Sequence, residues 1–318
     1  MTPPTMSSML APSKAATPSM KSGDPRIGHL LGRNLTDGRT PKAVLLGFES
    51  DEGVKRNGGR EGARRAPDAI REALFAFTPD AEQPVAFTRL IEQMQDIGNV
   101  VLSGDLEKDQ ESLGNVVANY LAAGSIVIII GGGHETSYGH FLGYVNNATR
   151  VSLLSWDAHP DVRELVNGKG HSGSPFRQAI LHPSRCCVDY RVGGVLPYSA
   201  NVEHLKFIKE NGGHYFFKDR LDFGTIENLY RRFNYPVMAS FDVDAVDASF
   251  APGVSAPASF GMYPEVWFSA AEQAGSCERV RSIDIVEVNP DVDLDRRAIK
   301  LAALTIWYFL RGMCHRRG

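Results

Sequence analysis

The sequence predicts an α/β fold, in which a doubly wound and mostly parallel sheet lies between two layers of helices. Apolar, β-like runs alternate along the chain with helical patterns, and this alternation is typical of a parallel sheet covered on both faces. The runs are almost continuously apolar, as expected for strands that are buried on both sides. No internal repeat and no linker follow residue 23, so we expect residues 24–318 to form a single domain.

Five strands and six helices follow from these patterns. The strands are predicted at Ala43–Phe48, Ser125–Ile130, Val151–Trp156, Pro236–Phe241 and Ser282–Val288. The helices are predicted at Ala66–Phe77, Gln110–Ala123, Glu135–Asn147, Ile226–Phe233, Pro264–Ala274 and Leu294–Arg311. Pro67 suits the first turn of the first of these helices. Because ligands of such sheets bind at the carboxyl ends of the strands, the residues that follow each strand are the first candidates for a site.

The composition is that of an ordinary soluble globular protein. Hydrophobic residues make up 43% of the chain, charged residues make up 22%, and the net charge is −3. The absence of a strong charge asymmetry argues against nucleic acid and against a membrane as partners. The four cysteines, of which Cys186 and Cys187 are adjacent, do not form a secreted disulfide framework. We therefore expect a cytoplasmic protein.

The first 23 residues have a composition of their own. They are rich in Pro, Ser, Thr and Met and contain no acidic residue, so we expect residues 1–23 to form a disordered tail. The first arginine of the chain is Arg26, whereas a mitochondrial transit peptide would be rich in arginine. The segment also lacks the continuous apolar core of a secretory signal.

Three consecutive glycines follow the second predicted strand. Gly131–Gly133 do not open a dinucleotide-binding motif, because Thr136 stands where that motif needs its third glycine. We expect the glycines to let the backbone turn closely, so that His134 can point into a site.

Six residues of metal-binding type follow three of the predicted strands. They form three clusters, which are His134 alone, then Asp157, His159 and Asp161, and then Asp242 and Asp244. In the second and third clusters the ligands stand at alternate positions, and alternate side chains of an extended segment share one face. Each cluster alone has an ordinary explanation, since an Asp-x-Asp at a strand end often caps the backbone. Their joint occurrence at one edge of a sheet predicts a metal centre.

The donor types indicate which metal is bound. Four carboxylates gathered in one place repel one another unless cations neutralise them, and two ions fit four aspartates better than one. Carboxylates mixed with imidazoles suit manganese, with zinc a weaker candidate and calcium weaker still. Two such ions can share a water and lower its pKa, which creates a nucleophile near neutral pH.

The same motifs resemble the ureohydrolase family, which includes arginases, agmatinases and formiminoglutamases. The matching segments are Gly131–Glu135, Ser155–Asp161, Ser240–Asp244 and Asp284–Pro290. The resemblance implies an arginase-like fold, a homo-oligomer (a trimer or hexamer) and two Mn²⁺ ions per chain. It assigns His134, Asp157, Asp161 and Asp242 to one ion, and Asp157, His159, Asp242 and Asp244 to the other.

Several segments are most similar to formiminoglutamases, among them Asp51–Arg60, which contains Asn57. The resemblance then implies hydrolysis of N-formimino-L-glutamate to L-glutamate and formamide, by attack of a metal-bridging hydroxide on the formimino carbon. Asp244 and Glu287 are the implied catalytic residues. Glu287 would also bind the planar C–N group of the substrate, because a carboxylate pairs bidentately with an amidine.

Arginines beside the ligand clusters suit a substrate with two carboxylates. Arg163 is expected to bind them through forked hydrogen bonds, together with Arg177 and Asn57. A surface salt bridge is an almost equally good interpretation of Arg177. Ser172 stands where arginases and agmatinases have a shuttle histidine, and His171 is not assigned that role.

Two alternatives stay open. The first is an arginase- or agmatinase-type guanidino hydrolase, although Arg163 would repel a cationic substrate. The second is a non-catalytic arginase-like binding protein. Such a protein would be recognised by the loss of metal ligands.

Overall fold

The structure is a computed structural model that describes residues 8–21, 23–35 and 38–316. The strands are β1 (Leu10–Ala11), β2 (Ala43–Gly47), β3 (Met94–Val100), β4 (Ile126–Ile130), β5 (Val151–Trp156), β6 (Cys187–Val195), β7 (His214–Phe217), β8 (Val237–Asp242) and β9 (Val280–Val286). They form one sheet in the order β1-β3-β2-β4-β9-β8-β5-β6-β7. All pairs are parallel except the one between β1 and β3. The predicted α/β class with a mostly parallel sheet is confirmed.

The α-helices connect the strands. They are α1 (Ile27–Leu30), α2 (Glu52–Arg56), α3 (Ala66–Phe75), α4 (Pro84–Glu92), α5 (Leu106–Ala122), α6 (Thr136–Asn146), α7 (Pro175–Ile180), α8 (Val202–Glu210), α9 (Phe223–Arg231), α10 (Pro264–Ser276) and α11 (Arg297–Met313). Pro67 lies in the first turn of α3, as predicted. Within the described part of the chain, no helix combines the length and the apolar character that crossing a membrane requires.

The central strands are apolar on both faces because helices cover both sides of the sheet. In β4, Ile126, Ile128 and Ile130 belong to the core on the side of α3, α10 and α11. Val127 and Ile129 point the other way, into the core beneath α5. All five side chains are buried. This two-sided burial explains why such strands read as unbroken apolar runs.

The strand order brings the predicted ligand strands together. β4, β8 and β5, which precede the three ligand clusters, occupy the middle of the sheet, and β9 lies between β4 and β8. Because these strands are parallel, their carboxyl ends meet at one edge. The residues that follow β4, β5, β8 and β9 therefore lie close together at this edge of the sheet.

The predicted elements agree with the structure to different degrees. The five predicted strands correspond to β2, β4, β5, β8 and β9, with ends that differ by at most two residues. The sequence did not predict β3, β6 and β7, which lie nearer the edges of the sheet. β6 contains Asp189 and Arg191 within its length, and these charges interrupt the apolar run.

The N-terminal segment includes an edge strand of the sheet. Leu10 and Ala11 pair with Val100 and Asn99 as an edge strand of the sheet. The Ser13 hydroxyl then donates a hydrogen bond of 2.8 Å to Asp68. Leu10, Ala11 and Ser13 therefore contact the domain, and the division into a tail of residues 1–23 and a single domain of residues 24–318 stays a prediction. Backbone pairing stabilises this segment although its composition is typical of a tail. Residues 1–7 and 22 lie outside the described residues.

Candidate active site

The six predicted ligands lie at or just past the carboxyl ends of the central strands. Their donor atoms form two groups, within each of which the atoms lie no more than 4.8 Å apart. The first group consists of His134, Asp157, Asp161 and Asp242, and the second consists of Asp157, His159 and Asp244. The predicted convergence is thus present in the structure, and metal binding by these residues stays a prediction.

Asp157 belongs to both groups, as expected for a carboxylate that bridges two ions. Its Oδ2 atom lies 3.4 Å from His134 Nδ1, and its Oδ1 atom lies 3.6 Å from His159 Nδ1. Asp242 belongs to the first group only. The bridging role implied for Asp242 therefore remains a prediction without direct geometric support.

A divalent cation fits this donor set. Nδ1 of His134 lies 2.9 Å from a carboxylate oxygen of Asp161 and 2.9 Å from one of Asp242. Among the described residues, His134 Nδ1, Asp157 Oδ2 and Asp244 Oδ1 are buried without a hydrogen-bond partner. Buried polar atoms normally have hydrogen-bond partners, so three unpaired atoms at one place need an explanation. A pair of cations would give each of them a partner, and mixed carboxylate and imidazole donors suit Mn²⁺.

The electrostatics of the metal-free site agree with this view. Burial and then the charge of Asp161 raise the pKa of Asp157 to about 7. Burial and then the charge of Asp244 raise the pKa of Asp242 well above its usual value. Without a cation these carboxyl groups are therefore pushed to hold protons, and a bound cation would displace those protons.

Glu287 lies at the same edge, just after β9. Its Oε1 atom accepts a hydrogen bond of 2.7 Å from the backbone N–H of His134. Burial and then the charge of Glu135 raise its pKa to about 8. The backbone of Glu287 has a φ of 68°, and that of Asp161 has a φ of 44°. Such values are unusual for residues other than glycine and concentrate at functional sites.

The glycine-rich turn allows this arrangement. A Cβ atom on Gly132 would lie 1.8 Å from the backbone oxygen of Ser50, so no larger residue fits there. The carbonyl of Gly132 accepts a hydrogen bond of 2.8 Å from the backbone N–H of Glu287. The expected close turn before His134 is confirmed, and it joins the end of β4 to the end of β9.

Arg163 is exposed, lies two residues past Asp161 and makes one side-chain hydrogen bond. Its Nη1 atom donates a hydrogen bond of 3.2 Å to Oδ1 of Asn57. The amide of Asn57 in turn donates a hydrogen bond of 3.0 Å to the hydroxyl of Ser172. The Asn57 amide thus links Arg163 to Ser172, and each end of it can make a further hydrogen bond, so substrate binding by Asn57 stays a prediction.

Arg177 is engaged elsewhere. Its guanidinium donates to the backbone oxygen of Val162 at 3.2 Å and to Glu164 at 3.1 Å. It also lies over the ring of Phe207, 4.3 Å from the ring centre. These contacts favour the salt-bridge interpretation of Arg177 over substrate binding.

His171 has no free ring nitrogen. Nδ1 accepts a hydrogen bond of 3.2 Å from the backbone N–H of Gly173. Nε2 lies 2.9 Å from the backbone oxygen of Glu164, which can only accept, so Nε2 carries the proton. The imidazole is buried and fixed as one tautomer. This agrees with leaving His171 without a shuttle role.

The sequence motifs did not reveal a second set of polar residues beneath His134. Ser137, His140 and Tyr144 lie on one face of α6, where they meet Ser240 of β8 and Ser282 and Asp284 of β9. All six are buried. A signal was present, because the three positions on α6 are spaced as one helix face and a polar stripe on a buried helix is unusual.

Comparison with known proteins supports the resemblance drawn from the motifs. The sequence model of the arginase family matches residues 41–311. A formimidoylglutamase of Geobacillus kaustophilus is 35% identical over 287 residues, which cover 86% of this chain and 84% of the relative. A formimidoylglutamase of Rhodococcus jostii is 34% identical over 290 residues, which cover 86% of each chain.

Solved structures agree in fold. A crystal structure of Trypanosoma cruzi formiminoglutamase with Mn²⁺ has a TM-score of 0.82 at 29% identity, and the match covers 92% of this chain and 100% of that one. The formimidoylglutamase of Bacillus subtilis has a TM-score of 0.84 at 22% identity, which supports the fold alone, and the match covers 96% and 97%. The predicted arginase-like fold is confirmed. Sequence and structure together show that the chain belongs to the arginase family.

Proposed function

We propose that this chain hydrolyses N-formimino-L-glutamate to L-glutamate and formamide, a step of histidine degradation, with two Mn²⁺ ions as cofactor. The observation that carries the proposal is the convergence of two ligand groups that share Asp157, with the exposed cation of Arg163 two residues past the ligand Asp161. Relatives named formimidoylglutamase that match 86% of the chain support the substrate. A formiminoglutamase structure with Mn²⁺ supports the metal.

The residues that would hold the ions follow from the two groups. One ion would be held by His134, Asp157, Asp161 and Asp242, and the other by Asp157, His159 and Asp244, with Asp242 as the further ligand that the family implies. Bound there, the ions would lower the pKa of a water molecule and would supply positive charge beside the reacting carbon.

Glu287 would bind and orient the formimino group. Its carboxylate is fixed by the backbone N–H of His134 and keeps further acceptor capacity, since a carboxylate can accept about four hydrogen bonds. The formimino group presents N–H donors in one plane, which matches a carboxylate in charge and geometry. This contact would place the formimino carbon next to the ligand groups.

Asp244 would move the proton. Addition of water to the formimino carbon forms a C–O bond and releases a proton, and the C–N bond to glutamate breaks only when the leaving nitrogen gains one. A carboxylate has about four acceptor sites, so Asp244 keeps one for this proton beside a bound cation. It would take the proton of the water and give it to the glutamate nitrogen, which releases glutamate and formamide.

Arg163 would recognise the glutamate part. The substrate carries two carboxylates, and a guanidinium can bind one of them through two parallel hydrogen bonds. Arg163 is exposed, so it can reach a ligand from solvent, while Asn57 holds one side of its guanidinium. Recognition therefore lies on the loop after β5, beside the ligands that would perform the chemistry.

A substrate panel tests the proposal. The purified, Mn²⁺-loaded protein is assayed with N-formimino-L-glutamate, arginine and agmatine, and glutamate and urea are both measured. We expect glutamate from the first substrate and no urea from the others. Urea without glutamate would instead identify a guanidino hydrolase. A protein that binds Mn²⁺ but turns over none of the three would favour the non-catalytic alternative.

A further inference from the structure

A buried chain of hydrogen bonds leads away from His134 on the side opposite to the carboxylates. Its Nε2 atom lies 3.0 Å from the hydroxyl of Ser240, which donates a hydrogen bond of 2.5 Å to Asp284. Asp284 also accepts from Ser137 at 3.0 Å and from His140 Nδ1 at 2.7 Å. All five residues are at most 1% exposed.

The chain continues past Asp284. Nε2 of His140 lies 2.5 Å from the hydroxyl of Ser282, which lies 2.6 Å from the hydroxyl of Tyr144. These groups sit between α6 and β9, and every one is paired. A buried network whose members all have partners is rigid and holds one arrangement.

Asp284 sets the direction of these hydrogen bonds. A carboxylate can only accept, so all three groups around it must donate their protons toward it. Ser240 has a single proton, and that proton goes to Asp284. The oxygen of Ser240 must therefore accept from His134, which places a proton on His134 Nε2. In the neutral ring the other nitrogen, Nδ1, then carries a lone pair, and Nδ1 is the atom that faces Asp161 and Asp242.

We propose that Asp284 is a positioning residue that, through Ser240, holds His134 in the tautomer whose Nδ1 can bind a metal ion. The inference rests on the proposed metal-dependent function and deepens it. A metal-binding histidine is generally oriented by a partner on its other nitrogen, and loss of that partner costs about 10–100-fold in metal affinity. Here the orienting charge is two hydrogen bonds away from the ring.

Asp284→Ala removes the acceptor and frees the proton of Ser240. Ser240 can then donate to His134 Nε2, which transfers the ring proton to Nδ1 and blocks the metal side. Because His134 belongs to the first ligand group alone, only one of the two ions should bind more weakly, by about 10–100-fold. A merely structural effect of the substitution would weaken both ions together.

Two matched variants separate the explanations. Asp284→Asn keeps an oxygen that can accept from Ser240 while its amide faces His140, so it should bind two ions more tightly than the alanine variant. Ser282→Ala removes an equally buried hydroxyl from the far end of the same network and leaves Asp284 and Ser240 in contact. It should bind both ions like the parent protein, whatever it does to stability.

The measurement is titration of the metal-free proteins with Mn²⁺, in which electron paramagnetic resonance reports free Mn²⁺ and circular dichroism verifies folding. Selective loss of one ion in the alanine variant, with recovery in the asparagine variant, supports the proposal. Two ions bound as in the parent, or equal weakening of both, overturns it. So does an asparagine variant that is as weak as the alanine variant.

Two further results are informative. If the alanine variant does not fold, Ser240→Ala replaces it, because the loss of this hydroxyl leaves Nε2 of His134 without its acceptor. Selective loss of one ion is again expected, and full binding again overturns the proposal. A parent protein that binds fewer than two ions would instead refute the proposed two-metal function itself. The two failures are therefore distinguishable.

Discussion

Substitution of Arg163 by alanine should weaken substrate binding and leave the chemistry largely intact. The guanidinium is exposed and makes a hydrogen bond of 3.2 Å to Asn57, so its removal opens no cavity in the core. The ligand groups and Glu287 do not depend on this contact. We therefore expect KM for N-formimino-L-glutamate to rise while kcat changes little, which is the signature of lost uniform binding.

The size of the effect follows from the exposure of the side chain. A hydrogen bond to a charged group contributes about 1.5–3 kcal/mol, and solvent screening at an exposed site favours the lower end. About 1.5–2 kcal/mol corresponds to a loss of roughly 10- to 30-fold in kcat/KM, since about 1.4 kcal/mol is a factor of ten. Arg163→Lys keeps the charge without the fork and should recover part of this loss.

The assay is steady-state formation of glutamate by the Mn²⁺-loaded variants, with the metal content of each preparation measured in parallel. Arg177→Ala is the matched control, because Arg177 lies on a neighbouring helix but is paired with Glu164 and Val162. The reasoning would be refuted by an Arg163 variant with unchanged KM, by a loss confined to kcat, or by a larger effect at Arg177 than at Arg163.

Three other results follow from the structure. Mn²⁺ should bind the metal-free protein more tightly as the pH rises through about 7 and should release protons, because burial raises the pKa of Asp157 to about 7 and also raises the pKa of Asp242. Calorimetry in buffers of different ionisation enthalpy measures the released protons, and binding that is independent of pH would contradict the expectation. Gly132→Ala should lower metal content and stability, since its Cβ would lie 1.8 Å from the Ser50 oxygen, and an alanine variant that retains full metal content would speak against the close turn. Arg71→Met should lower the free energy of unfolding by about 3 kcal/mol in urea titrations, because a fully buried guanidinium pairs with two aspartates; a change below about 1 kcal/mol would show that these ion pairs matter little.

The metal ligands could be predicted because each cluster lies within five residues of the end of an apolar run. Asp157 and Asp242 stand at the ends of β5 and β8, and parallel strands bring such ends together whatever the details of the loops. The same logic could not identify β6, in which charged residues interrupt the apolar pattern. Nor could it find β1, a strand of two residues that exists only because β3 offers it a partner.

Residue roles that depend on tertiary contacts were harder to predict. Arg163 and Arg177 are alike in the sequence, and only their neighbours separate an exposed cation from a paired one. Asp284 lies in a segment that carried the family resemblance, yet its contacts with His140 and Ser240 join residues far apart in the chain. A single sequence contains no measure of such distances.

The two hydrogen bonds between the end of β4 and the end of β9 have a consequence for the precision of the reaction. The Glu287 carboxylate accepts a hydrogen bond from the backbone N–H of His134, and the Glu287 backbone N–H donates one to the carbonyl of Gly132, so each loop holds the other. Thermal displacements of one loop are then shared by the other. The distance between Glu287 and the ligand group that contains His134 should therefore fluctuate less than either loop does. In an active site this matters, because a displacement of about 1 Å can cost about a hundredfold in rate.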